Sequence, residues 1–328
     1  MPAGFSLFPQ LTTPASKNSK PIQRIMGISV LLLFTLFFSY IAAMVAGLIG
    51  KIGFGIDDAD LIKRMISTPG HSADNINFLR WVNVFQSIIS LGIPAVVVTF
   101  LVGWNINAVG NYKSIANKSQ FSLGLLIAAS LTPIVALINQ GSEWIFNKLF
   151  PLSVLQMFQS LNANRQQIIE ATLDMETLGE LGVCLLILAM MPALLEEYVF
   201  RGLISKFASN HFAKSATVGI FQALVFSLIH FSPFEFFGIF IAGLILGSIR
   251  MHTQSLWLST WVHFLFNATA ICLHYYTLHH FNSTGIYVDT NQWFNGTSFL
   301  GIILFIASLG ILIIALKKLY SSISTTEI

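Results

Sequence analysis

Eight apolar segments, each close to the length of a membrane-spanning helix, leave this chain few ways to fold. A transmembrane helix needs about 20 mostly apolar residues. Only 9% of the 328 residues are charged, against about 25% in a soluble domain. We therefore predict an all-α, polytopic membrane helix bundle with about eight transmembrane helices, at residues 25–49, 82–103, 121–139, 180–201, 215–232, 235–250, 256–276 and 298–316.

The charges between these segments predict the orientation of the chain in its membrane. Segments 1–24, 104–120 and 201–214 contain Lys or Arg and no acidic residue, whereas segment 140–179 is net acidic. The positive-inside rule places the basic segments in the cytoplasm. We therefore expect both termini to be cytoplasmic, which requires an even number of spans.

The domain organisation follows from the same pattern. Segment 140–179 mixes polar and apolar residues, which fits either an interfacial helix or a solvated loop. A net charge of +3 is too small to indicate a nucleic-acid partner. We divide the chain into a cytoplasmic tail (1–24), N-terminal transmembrane helices with two outer loops (25–178), a core of helices with the candidate site (179–276), and an outer loop, last helix and cytoplasmic tail (277–328).

Two adjacent acids interrupt the fourth apolar segment. An acid near the bilayer centre costs about 2.5–3.5 kcal/mol on insertion scales, so an ionisable residue there indicates a functional site. Glu197 and Arg201 stand at i and i+4, which favours a helical ion pair. The side chain of Glu196 points about 100° away from that of Glu197 around the helix axis, and it has no such partner on its own helix. Glu196 is therefore the candidate for a chemically available carboxylate.

Two later segments contribute imidazole and amide groups. Phe226 and His230 lie one helical turn apart, so the ring can orient the imidazole by packing; His263 and Asn267 have the same spacing. Such side chains in a membrane helix need a polar cavity or a partner helix, and interhelical packing is the alternative explanation. If the three helices converge, the cluster can deprotonate a water and stabilise an oxyanion. His230 and His263 are also candidate ligands of a divalent metal such as zinc.

These motifs, in this order, resemble those of the CAAX-protease and bacteriocin-processing family of intramembrane proteases, which is related to the type II CAAX prenyl endopeptidase. The resemblance covers about residues 190–270 and includes Gly243–Gly247 and the run 253–257. Gln254 stands where the family commonly has Gly. The resemblance implies that Glu196 activates water with help from His230.

The resemblance further implies that His263 and Asn267 hold the oxyanion or the scissile carbonyl, and that Glu197 and Arg201 fix their helix. Both metal-dependent and glutamate-dependent mechanisms have been described for the family. This chain lacks the His-Glu-x-x-His zinc spacing, so any metal ligands must come from different helices.

One geometric condition follows. Glu196 and His230 can meet only if the helix that carries Glu196 continues past Arg201, to about Ser209.

The expected function is hydrolysis of a peptide bond in a membrane-associated or lipidated substrate, in the plasma membrane of a prokaryote, with membrane lipids as the other partners. Segment 140–179 is a candidate for setting selectivity. A non-catalytic regulator or bacteriocin-immunity protein on the same scaffold is the first alternative, although it would be expected to lose motif residues. A proton-coupled transporter is the second, although it predicts internal repeats and symmetrically broken helices, which the sequence lacks.

Overall fold

A computed structural model describes residues 21–54, 73–110, 118–209, 215–280 and 299–324. Every regular element in these ranges is helical, which confirms the all-α prediction. Residues 1–20 of the expected cytoplasmic tail, and residues 55–72 and 281–298 of the expected outer loops, lie outside the described residues. The helices are α1 (Pro21–Phe54), α2 (Ala73–Ser87, Ile88–Gly92 and Ile93–Leu101), α3 (Ile106–Gly110), α4 (Lys118–Leu149), α5 (Leu152–Thr172), α6 (Leu178–Cys184, Leu185–Met190, Met191–Glu197, Tyr198–Ile204 and Ser205–Ser209), α7 (Ser215–Ile229), α8 (Phe236–Thr253), α9 (Leu256–His280) and α10 (Phe299–Ser324).

Seven of the described helices are long and apolar enough to cross a membrane, so the chain is an integral membrane protein. The fifth predicted span is α7, which has only 15 residues. At 1.5 Å per residue it is about 22 Å long, shorter than the roughly 30 Å hydrocarbon core. Seven of the eight predicted spans thus correspond to described helices that are long enough to cross a membrane, and the fifth corresponds to α7, a shorter apolar helix.

Helix α6 meets the condition that the candidate site imposes. The predicted span ended at residue 201, but the helix runs without interruption from Leu178 to Ser209. Arg201 is fully buried and ion-paired, so it does not mark a membrane boundary. Two π-helical stretches, Leu185–Met190 and Tyr198–Ile204, flank the α-helical turns that end in Glu197; such wide turns occur frequently at functional sites.

Segment 140–179 is mainly helical. Helix α4 continues to Leu149, and α5 occupies Leu152–Thr172, so the helical alternative is correct. Arg80, which precedes the second predicted span in the sequence, is buried in α2. Its guanidinium donates to the carbonyl oxygens of Thr172 (3.3 Å) and Asp174 (2.8 Å) and to the Glu180 carboxylate (3.3 Å). Arg80 therefore joins α2 to the segment that connects α5 with α6.

The core positions α6, α7 and α8 around the motif residues. One apolar cluster joins α6 to α1, α2, α7 and α9, with Phe200 and Phe207 fully buried in it, and a second joins α4, α8, α9 and α10. Gly243 lets α7 and α8 approach closely, because a Cβ at this position would lie only 3.2 Å from Ala223. This close contact brings the backbone of α8 within reach of Arg201.

Candidate active site

Glu197 and Arg201 form a fully buried ion pair, as their i, i+4 spacing predicts. Arg201 Nη1 donates to Glu197 Oε1 at 2.7 Å, and neither side chain is exposed. Arg201 Nη2 donates to the carbonyl oxygen of Gly243 at 3.1 Å, and Cζ lies 4.6 Å from the centre of the Phe226 ring. The guanidinium thus ties α6 to both α7 and α8, and its charge is balanced locally.

His263 connects the two adjacent acids. Its Nδ1 lies 3.0 Å from Glu197 Oε1, and its Nε2 lies 3.8 Å from Glu196 Oε2. An ionised carboxylate only accepts hydrogen bonds, so Nδ1 must be the donor to Glu197. This fixes the orientation of the ring and directs Nε2 at Glu196. The Glu196 side chain is 17% exposed, against 6% for His263, so the reachable face of the cluster is the Glu196 carboxylate.

His230 is oriented by its own helix, as its spacing from Phe226 predicts. Its Nδ1 donates to the carbonyl oxygen of Phe226 at 2.7 Å, because a carbonyl can only accept. The two rings lie 4.6 Å apart between centres. The Phe226 ring also lies 6.0 Å from the ring of His263, so both imidazoles pack against one aromatic side chain. The neutral form of His230 therefore has its lone pair on Nε2.

The structure brings four of the six candidate residues into direct contact. Glu196, Glu197, Arg201 and His263 form one chain of polar contacts. His230 is connected to these four residues through the ring of Phe226. The imidazole within ion-pair range of Glu196 belongs to His263. Asn267 lies on α9 one turn beyond His263 and is half-buried. Its amide makes no hydrogen bond with the described residues.

Sequence reasoning missed a connection behind His230. Arg165 of α5 lies 2.5 Å from Glu235 and donates to Ser232 Oγ at 3.1 Å. Both partners belong to the short turn that follows His230, where Phe231 has a positive φ of 47°. The sequence signals were Glu235, the acid of the turn 232–235, and Arg165, one of two bases in the net acidic segment 140–179.

The donors do not form a metal site as they stand. No group of three or more His, Cys, Asp or Glu side chains in the described ranges is arranged to hold a metal ion. Catalytic zinc sites usually have three protein ligands. Here one ring nitrogen of His263 already donates to Glu197, and one of His230 donates to a backbone carbonyl. The assignment of His230 and His263 as metal ligands stays a prediction.

Comparison with known protein families supports the resemblance of the motifs. Residues 179–269 match the family model described as Type II CAAX prenyl endopeptidase Rce1-like. The matched segment contains all six candidate residues and runs from α6 into α9. Comparisons with curated proteins and with solved structures gave no significant match. Over residues 179–269, the chain is therefore similar to the Rce1-like type II CAAX prenyl endopeptidases.

Proposed function

We propose that this protein is an intramembrane endopeptidase that hydrolyses a peptide bond of a membrane-associated or lipidated substrate with a water activated by Glu196. The observation that carries the proposal is the contact between Glu196 Oε2 and His263 Nε2 at 3.8 Å. This separation is too long for a direct hydrogen bond. It suits one water molecule that lies about 2.8 Å from each atom and bridges them.

The charges around Glu196 support this proposal. Glu196, Glu197 and Arg201 together carry a charge of −1, and burial favours a neutral cluster. One proton shared between Glu196 and His263 makes the cluster neutral. In the active form His263 carries this proton, its Nδ1 donates to Glu197, and its Nε2–H is available as a donor. Glu196 is then an ionised base beside a positively charged ring.

The reaction follows from this protonation state. Glu196 takes a proton from the bridging water while the water oxygen bonds to the scissile carbonyl carbon. The electron pair of the C=O π bond moves to the oxygen, and the resulting negative charge is stabilised by the Nε2–H of His263. When the C–N bond breaks, the proton held by Glu196 passes to the leaving nitrogen. The products are a new carboxyl terminus and a new amine.

Asn267 and His230 take the remaining roles. The Asn267 amide lies on the His263 face of α9 and always has N–H groups to donate, which suits a second contact to the oxyanion. His230 in its neutral form has an acceptor at Nε2 and can assist proton transfer from the water. No step needs a metal ion. A divalent metal remains a prediction, and loss of cleavage on chelation, restored by one particular metal, would support it.

The substrate class follows from the location of the site in the helix bundle and from the family. A bond cleaved there belongs to a peptide that is anchored in the bilayer by a lipid or by its own apolar residues. We propose the plasma membrane of a prokaryote as the location, with both termini in the cytoplasm and with membrane lipids as the surrounding partners. Helix α5 contacts the turn after His230, so it is a candidate to influence substrate entry.

The test is cleavage by the full-length protein in lipid nanodiscs. The substrates are quenched-fluorescent peptides with and without a prenylated cysteine near the C-terminus, and mass spectrometry identifies the cleaved bond. The proposal expects one product pair from wild type and none from Glu196→Gln. If folded wild type cleaves no peptide but retains an intact protein partner whether or not Glu196 is present, the protein is a regulator.

The link between Arg165 and Glu235 gives a smaller, separate prediction. Because the pair is about one-third exposed, its coupling free energy should be no more than about 1 kcal/mol. We expect Arg165→Ala and Glu235→Gln each to lower cleavage severalfold, and the double variant to lose no more than either single one. Initial rates at saturating substrate measure this. Fully additive losses would show that the contact does not position the turn after His230.

A further inference from the structure

A polar cavity lies beside Arg201, between the C-terminal ends of α6 and α8. Its volume is about 400 Å³. Three cationic side chains line it, those of Arg201, Lys206 and Arg250, together with polar groups of Ser205, Ser209 and Gln254. Among the described residues, the lining contains no acidic side chain. The cavity therefore has an excess of positive charge.

Two guanidinium nitrogens beside this cavity have no hydrogen-bond partner among the described residues. Arg250 is half-buried, and its buried Nε has no hydrogen-bond partner among the described residues. Arg201 gives Nη1 to Glu197 and Nη2 to Gly243, but its buried Nε is likewise unsatisfied in the described part of the chain. A buried donor without a partner destabilises the folded protein. Two such guanidinium nitrogens beside one cavity indicate an anionic ligand.

The chemistry of the lining selects a phosphate group. Guanidinium groups match the spacing of phosphate oxygens and bind them through charge-assisted hydrogen bonds. Lys206 adds a third charge and is held with its Nζ 4.5 Å from the centre of the Trp104 ring. The hydroxyl group of Ser205 is a suitable additional donor, whereas that of Ser209 already donates to the carbonyl oxygen of Lys206.

The position of the cavity indicates the source of the phosphate. The C-terminal end of α6 lies in segment 201–214, which contains basic residues and no acid, as does segment 104–120. The last turn of α8 contains Arg250. The positive-inside rule makes this the cytoplasmic end of the bundle, and anionic phospholipids attract basic pockets of this kind. Val109, Val218 and Met251 give the same cavity an apolar wall, which suits the glycerol part of a lipid.

We propose that this cavity binds the phosphate of an anionic phospholipid headgroup. The ligand would complete the hydrogen bonding of Arg250 and place a negative charge beside Arg201, the residue that anchors Glu197. Binding should therefore stabilise the contacts between α6 and α8. This effect is a property of the folded protein and does not depend on peptide cleavage.

The test measures lipid binding by the full-length protein in zwitterionic detergent. Native mass spectrometry and the thermal unfolding midpoint are recorded with phosphatidylglycerol, with phosphatidylcholine and with inorganic phosphate. We expect phosphatidylglycerol to be retained and to raise the midpoint, and Arg250→Gln to weaken its binding about tenfold or more. Lys318→Gln, an exposed lysine on α10, is the matched control and should bind like wild type.

Two further variants keep the proposal testable if Arg250→Gln does not fold. Arg250→Lys keeps the charge and should retain part of the binding, and Lys206→Gln should weaken it without touching Arg250. Equal binding of phosphatidylglycerol to wild type and Arg250→Gln overturns the proposal, as does equal retention of phosphatidylcholine. Stabilisation by inorganic phosphate, with none by phosphatidylglycerol, overturns the assignment to a lipid.

Discussion

Glu196→Gln should lower kcat for peptide cleavage by about 10²–10⁴-fold, because a neutral amide cannot take a proton from the attacking water. KM should change little, since the amide fills the same volume and the neighbouring ion pair stays intact. The thermal unfolding midpoint should stay close to that of wild type, because the Glu196 side chain is partly exposed and makes no short hydrogen bond with the described residues. Steady-state kinetics on one identified peptide measure both constants.

Glu143→Gln is the matched control, because Glu143 is an exposed glutamate on α4. It should cleave at the wild-type rate. A Glu196→Gln variant that keeps more than about a tenth of wild-type kcat would rule out Glu196 as the base. A fall in kcat accompanied by a large fall in the unfolding midpoint would instead indicate a structural role.

Arg201→Met is expected to destabilise the protein by about 3–5 kcal/mol, because it leaves the fully buried Glu197 carboxylate without its counter-ion. It also removes the donor to the carbonyl of Gly243, which links α6 to α8. Chemical unfolding in detergent, followed by circular dichroism, measures the free energy of unfolding. Arg165→Met is the matched control, since its partly exposed pair with Glu235 should contribute no more than about 1 kcal/mol.

The double variant Glu197→Gln, Arg201→Met separates ion pairing from packing. Removal of both charges leaves no uncompensated ion in the core. The double variant should therefore be destabilised by about 2 kcal/mol less than the sum of the two single variants. Strict additivity would mean that the 2.7 Å contact contributes nothing to the stability of the buried pair.

Local pattern was enough to predict much of this protein. Helical spans follow from long apolar runs, because a bilayer leaves the backbone few other ways to satisfy its hydrogen bonds. The Glu197–Arg201 pair and the packing of Phe226 on His230 follow from i, i+4 spacing, which fixes neighbours on a helix whatever the rest of the chain does. The order of the three motifs also predicted the match of residues 179–269 to the Rce1-like family model. These inferences depend on residues close together in sequence.

Contacts between distant segments could not be predicted in the same way. The resemblance implied that His230 assists Glu196, whereas helix packing brings His263 within 3.8 Å of that carboxylate. The burial of Arg80 and the contact of Arg165 with the turn after His230 join segments far apart in sequence. The cavity lined by Arg201, Lys206 and Arg250 exists only where the ends of two helices meet.

The same distinction explains the errors in helix boundaries. Arg201 resembled a charge at the end of a span, but a counter-ion from its own helix, together with a carbonyl from α8, permits its burial and lets α6 continue to Ser209. Helix α7 has the apolar composition of a span but only 15 residues, and its length depends on where the chain turns. The amino-acid composition therefore identified the bilayer as the surroundings of the chain and predicted its helices. Packing fixed which polar groups meet, because that depends on helix ends and crossing points that no local pattern encodes.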